Sequence, residues 1–126
     1  MPDNHLHIIA FNIPFPANYG GVIDVFYKIK ALHKAGIKIH LHCYQYDRPE
    51  STELNKYCES VDYYPRKTGI AAQFSMKPYI VESRQSDELL KDLIDDGYPI
   101  LFEGLHSCFY INHYALQGRL LIYREC

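Results

Sequence analysis

Residues 6–12, LHIIAFN, form a short apolar run rich in β-branched and aromatic side chains and bounded by Pro14, which predicts a buried strand. From Gly21 the period changes. Val22, Val25, Phe26, Ile29, Leu32 and Ala35 fall three or four residues apart and share one helical face. Asp24 is read into the first turn of this helix, Lys28, Lys30 and Lys34 into its later turns, and Gly36 after its last turn. That order suits the helix dipole and a left-handed stop. Residues 37–46, IKIHLHCYQY, alternate and predict a second strand, and VDYY (61–64) a third, after a helical stretch around Glu53 to Cys58. GIAAQFSM, within 65–85, reads as one or two helical turns. Ser86 caps a helix carrying Leu89, Leu90, Leu93 and Ile94 and stopped at Gly97. PILFE (99–103) is a fourth strand, CFYINHYAL (108–116) a short helix and LLIYR (120–124) a fifth strand.

Strands alternating with helices imply βαβ units. The expected fold is α/β: a Rossmann-like, doubly wound three-layer α/β/α domain over residues 1–126, with a mainly parallel sheet of about five strands in the order 3-2-1-4-5. No internal repeat, low-complexity tract or linker points to a second domain. The last strand runs close to Cys126, as if a larger domain were cut before completion.

Composition narrows the class without choosing a function. At 126 residues, 48% hydrophobic and 22% charged, the chain is of ordinary globular make-up. A net charge of -2 gives no basic excess, so no nucleic-acid partner is expected. No apolar run approaches the length of a membrane span, and the N-terminus lacks the pattern of a signal peptide. The four cysteines form no Cys-x-x-Cys pair, and free thiols in a reducing cytoplasm are the simplest reading.

In an open parallel sheet ligands bind beyond the carboxyl ends of the strands, which directs attention to the segments after them. Between the first strand and the first helix lies IPFPANYGG (13–21). Its prolines stiffen the path, and Gly20 and Gly21 allow close approach to a helix N-terminus, where free amides favour an anion such as a diphosphate. A tight turn alone would use the same two glycines, and both readings stand at this point. The segment is neither Gly-x-Gly-x-x-Gly nor a P-loop.

The stretch IPFPANYGGVIDVFYKIKALHKAGIKIHLH (13–42) resembles the N-terminal domain of a GT-B fold glycosyltransferase (GT4-like, glycosyl transferases group 1). ILFEGLHS (100–107) and GRLLIYREC (118–126) follow in the order such domains use. The resemblance implies transfer of a sugar from a nucleotide-sugar donor to a saccharide or lipid-linked acceptor, in cell-surface polysaccharide synthesis. This domain would form the acceptor side, and a missing C-terminal domain would hold most of the donor. By position, Asn18, Tyr19, Gly20 and Gly21 would form the loop facing the donor diphosphate, and Glu103 and His106 would face the acceptor. No cofactor, no metal and no covalent nucleophile is implied, and residues 1–126 alone would be inactive. The location implied is cytoplasmic, with peripheral contact at the inner membrane face where the acceptor is a lipid. Two features depart from the family: the second domain is absent from these residues, and Cys126 stands near the position where members tend to carry a histidine.

Two further classes share these features. A non-catalytic Rossmann-like binding or interaction module has the same architecture. A nucleotide-dependent enzyme of another doubly wound family, such as an epimerase, is disfavoured by the missing dinucleotide glycines. His5, His7, His40 and His42 form two His-x-His pairs on strands expected to be neighbours. Period two puts each pair on one face, where imidazoles suit a metal, but partly exposed polar residues at strand ends are the commoner case. Arg124 and Lys67 are lone cations that could meet phosphate, and Cys108 reads as a core thiol. Tyr44, Tyr46, Tyr63 and Tyr64 suit packing more than sugar stacking.

Overall fold

The computed structural model describes residues 4–18, 20–45, 48–65, 87–103 and 119–124. Five strands form one parallel sheet in the order β3-β2-β1-β4-β5: β1 (His5–Ala10), β2 (Lys38–Gln45), β3 (Ser60–Pro65), β4 (Ile100–Glu103) and β5 (Leu121–Arg124). Helix α1 (Gly20–Lys34) connects β1 to β2, helix α2 (Asp87–Ile94) precedes β4, and a 3-10 turn spans Thr52–Lys56. The expected Rossmann-like α/β fold and its strand order are therefore present. The helical turns expected within 65–85, the Ser86 cap and the helix expected at 108–116 fall wholly or almost wholly outside the described residues.

Side-chain alternation sorts the sheet into two faces. On one, Ile8, Ala10, Ile39, Leu41, Cys43 and Leu101 pack against Val25, Phe26 and Ile29 of α1. On the other, Ile9, Tyr44, Tyr64, Ile100 and Phe102 pack against Leu89 and Leu93 of α2. The buried set of α1 is Val22, Val25, Phe26 and Ile29, an i, i+3, i+4, i+7 stripe, and each such side chain contributes roughly 1.5–3 kcal/mol on leaving water. Leu89 and Leu93 do the same for α2, which at eight residues is too short to be stable without this seat.

Helix α1 stops where a glycine permits it. Gly36 has a φ of 90°, its N–H donates to the His33 carbonyl and that of Ile37 to the Leu32 carbonyl, the pattern of a Schellman stop. Two details differ from the pattern-based reading. Helix α1 begins at Gly20, so Asp24 lies beyond the first turn, which carries no acidic residue. Ala35 follows the last helical residue and is exposed, because the chain is already turning toward Gly36. Among the described residues no helix is long and apolar enough to cross a membrane.

Candidate functional site

The order β2-β1-β4 places β1 between strands reached in opposite directions, so the carboxyl ends of β1 and β4 flank the point where the winding reverses. The segment leaving β1 is firmly placed. Ile8, Ile9 and Ala10 lead into Asn12 and Ile13, all buried, and the Oδ1 of Asn12 accepts from the Ile13 amide at 2.9 Å. The Phe15–Pro16 peptide is cis. The Asn18 amide donates to the Pro16 carbonyl at 2.9 Å, and the Arg48 guanidinium donates to the same carbonyl. Asn18 and Gly20 are exposed beside the start of α1.

The two glycines separate physically. Among the described residues a Cβ on Gly20 would meet nothing within 4 Å, whereas one on Gly21 would lie 2.5 Å from Cζ of Phe11. Gly21 is therefore required for the Phe11 ring to lie across the start of α1. Among the described residues Gly20 has no such neighbour. Glu103 ends β4 on the α1 side, where its side chain is 0% exposed and pairs with Lys28 of α1. Tyr19 and His106 lie outside the described residues, as do Tyr46, Lys67 and Cys108. Arg124 stands opposite Glu103 in the β4–β5 register. Tyr44 and Tyr64 are core residues, and the hydroxyl of half-buried Tyr63 bonds to Ser51. A cleft of about 340 Å³ opens at the opposite, amino edge of the sheet, between His33, Lys38, Lys56 and Glu59.

The α2 face of the sheet carries a connected polar array. His5 and His7 of β1 and His40 and His42 of β2 point to this face, in two rows. In the outer row Nδ1 of His5 lies 2.8 Å from Nε2 of His40, whose Nδ1 lies 3.1 Å from the Ser60 hydroxyl, and Tyr98 stacks on His5. In the inner row Nδ1 of His7 lies 2.8 Å from Nε2 of His42, and Nδ1 of His42 lies 2.9 Å from the Tyr64 hydroxyl. That hydroxyl donates to Asp92 of α2 at 2.6 Å, and at the other end Nε2 of His7 lies 2.9 Å from both carboxylate oxygens of Asp96. Arg119 closes this end: it donates to Asp96 at 3.0 Å, to the Tyr98 carbonyl at 2.6 Å and to the Leu93 carbonyl at the end of α2.

His7 and His42 are 3% and 2% exposed, so the expectation of partly exposed histidines fails for the inner pair. Burial sets their ionisation. It pushes His42 down to about 3, helped by neighbouring His7 and His40. Burial also lowers His7 against the pull of Asp96, and lowers His40 with the help of His7 and His5. Desolvation opposes ionisation of Asp96, yet the His7 bond, the Tyr98 amide and the His7 and Arg119 charges together hold it below the usual carboxylate value. Asp62, half exposed on β3, is pushed up by partial burial and then by the Asp92 charge. The His-x-His spacing was the only sequence signal for this array. Nothing in the local pattern marked Asp62, Asp92, Asp96, Tyr98 or Arg119 as its partners.

The fold thus defines a Rossmann-like α/β domain with an open helix start at the reversal of strand order and a buried imidazole row on the α2 face. Compared with known proteins, the chain matches no family model, no curated protein and no solved structure.

Proposed function

We propose that residues 1–126 form the acceptor-side, N-terminal domain of a GT-B type glycosyltransferase. Such an enzyme moves a sugar from a nucleotide-sugar donor to a saccharide or lipid-linked acceptor. The observation that carries this reading is the shared edge of β1 and β4. There the exposed Gly20 opens helix α1 beside Asn18, and Glu103 ends the neighbouring strand. The amides and dipole that the start of a 15-residue helix generally offers favour an anionic group, and a bare glycine suits close approach of a diphosphate. The role of this half is to present the acceptor hydroxyl and one side of the diphosphate. A second domain brings the activated sugar, and closure aligns them. Glu103, paired with Lys28, ties α1 to β4 beside this edge.

The Lys28–Glu103 pair also favours a second reading, a non-catalytic binding module, since it takes the acidic residue at the tip of β4 out of the cleft. Sugar transfer separates the two. The natural gene product, with whatever follows Cys126 in its frame, is incubated with a panel of labelled nucleotide-sugars and the glycan and lipid fractions of its source cells. Transfer by the wild type, reduced at least tenfold in Gly20→Ala at unchanged stability, supports the enzyme. No transfer from any donor favours the binding module, and equal transfer by the variant removes Gly20 from the donor site.

A further inference from the structure

The inner imidazole row ends in a cluster built from three elements. A ring nitrogen of His42 on β2, a carboxylate oxygen of Asp62 on β3 and one of Asp92 on α2 all lie within 4.8 Å of one another. Nδ1 of His42 is 3.9 Å from Oδ2 of Asp62. His42 forms the buried floor, while the two carboxylates stand at the solvent side. We propose that this cluster is a binding site for a borderline first-row divalent cation, with zinc as the reference ion.

Hydrogen counting along the row supports this independently of the cluster's composition. Four contacts run in series: Asp96 to His7, His7 to His42, His42 to Tyr64, and Tyr64 to Asp92. Two neutral imidazoles and one phenol supply three protons, and ionised carboxylates supply none. Because the Tyr64 proton is given to Asp92, the position between Nδ1 of His42 and the Tyr64 oxygen is filled only if some group carries an extra proton. A cation there removes the deficit. Nδ1 of His42 becomes a ligand, its Nε2–H donates to Nδ1 of His7, and the Nε2–H of His7 donates to Asp96. Every proton then has an acceptor. An imidazole ligand whose far nitrogen is held through hydrogen bonds ending on a carboxylate is the usual support of a metal-bound histidine.

The donor set selects the ion. It comprises one imidazole nitrogen, two carboxylates and the neutral Tyr64 oxygen, 2.9 Å from Nδ1 of His42. Two donors about 2.1 Å from one ion and 2.9 Å apart subtend roughly a right angle, as neighbouring ligands do. The two aspartates close the remaining gap by side-chain rotation, for which their exposure leaves room. Cys43 projects to the α1 face, so no thiolate from β2 enters the set, and imidazole with carboxylate suits zinc, cobalt or manganese better than a soft ion. Bound there, the ion ties α2 to β2 and β3.

The test titrates the metal-stripped 126-residue chain with zinc by calorimetry and with cobalt by absorption. One ion per chain is expected, with affinity at least tenfold weaker in Asp62→Asn and in Asp92→Asn and unchanged in Asp95→Asn. Circular dichroism verifies that the exposed substitutions leave the fold intact. Absence of binding at millimolar metal overturns the proposal, as does binding undiminished in both aspartate variants. Intense near-ultraviolet cobalt–thiolate absorption also overturns it, by placing the ion on cysteines.

Discussion

The imidazoles of His7 and His42 face each other across β1 and β2, nitrogen to nitrogen at 2.8 Å, both almost fully buried. His42 therefore titrates near 3 in the folded chain and near 6.5 when unfolded, chiefly through desolvation. Between these values the unfolded chain takes up a proton that the native chain refuses. Stability is greatest above about pH 6.5 and falls as the pH drops toward 3, by at most about 1.4 kcal/mol per pH unit for this group. Urea midpoints measured from pH 7.5 to pH 5 are expected to decline in the wild type and to decline less in His42→Gln. A flat wild-type profile would contradict the burial of this imidazole.

At the start of α1 the two glycines should respond differently. Gly21→Ala forces the Phe11 ring to move and is expected to cost about 1–3 kcal/mol, while Gly20→Ala stays within about 0.5 kcal/mol of wild type. Adding Phe11→Leu should restore much of the loss in Gly21→Ala. Denaturant titration of the two single variants and the double variant decides this, and equal losses at both glycines would refute the packing account.

Lys28→Met leaves the carboxylate of Glu103 buried without its ammonium partner. The expected loss is about 2–4 kcal/mol, tempered because the lysine is partly in water. Glu103→Gln in the same chain should recover part of that loss. A double-mutant cycle measures the coupling, and additive effects would mean that the pair contributes nothing of its own.

Burial pushes the Cys58 thiol up to about 12, and pushes the fully buried Cys43 thiol well above its ordinary value. At pH 8 the thiolate of Cys58 is on the order of one molecule in ten thousand, so alkylation should be slow until the chain unfolds. The same shift makes stability fall as the pH rises above 9, where the unfolded thiol ionises and the native one does not. Iodoacetamide labelling read by peptide mass at Cys43 and Cys58, with and without denaturant, checks the first point. Fast native labelling of either would place that thiol at the surface.

Periodicity alone determined much of this protein. The apolar run of β1, the alternation of β2, the 22-25-26-29 stripe of α1 and the Gly36 stop each follow from local geometry, and alternation of strand and helix entails the parallel sheet. The order 3-2-1-4-5 was legible for the same reason, because few handed connections remain once the elements are placed. The difference between the two glycines was not legible, since only packing shows that Phe11 occupies the space over Gly21. Nor was the burial of Glu103, which depends on Lys28 reaching it from 75 residues away. The spacing of His5, His7, His40 and His42 established that each pair shares a face, but a repeat carries no information about what covers that face. Asp96 reaches His7 across 89 positions, and Asp92 reaches Tyr64 across 28. Hydrogen bonds form only at about 3 Å, and tertiary packing of α2 on the sheet decides which distant groups come that close.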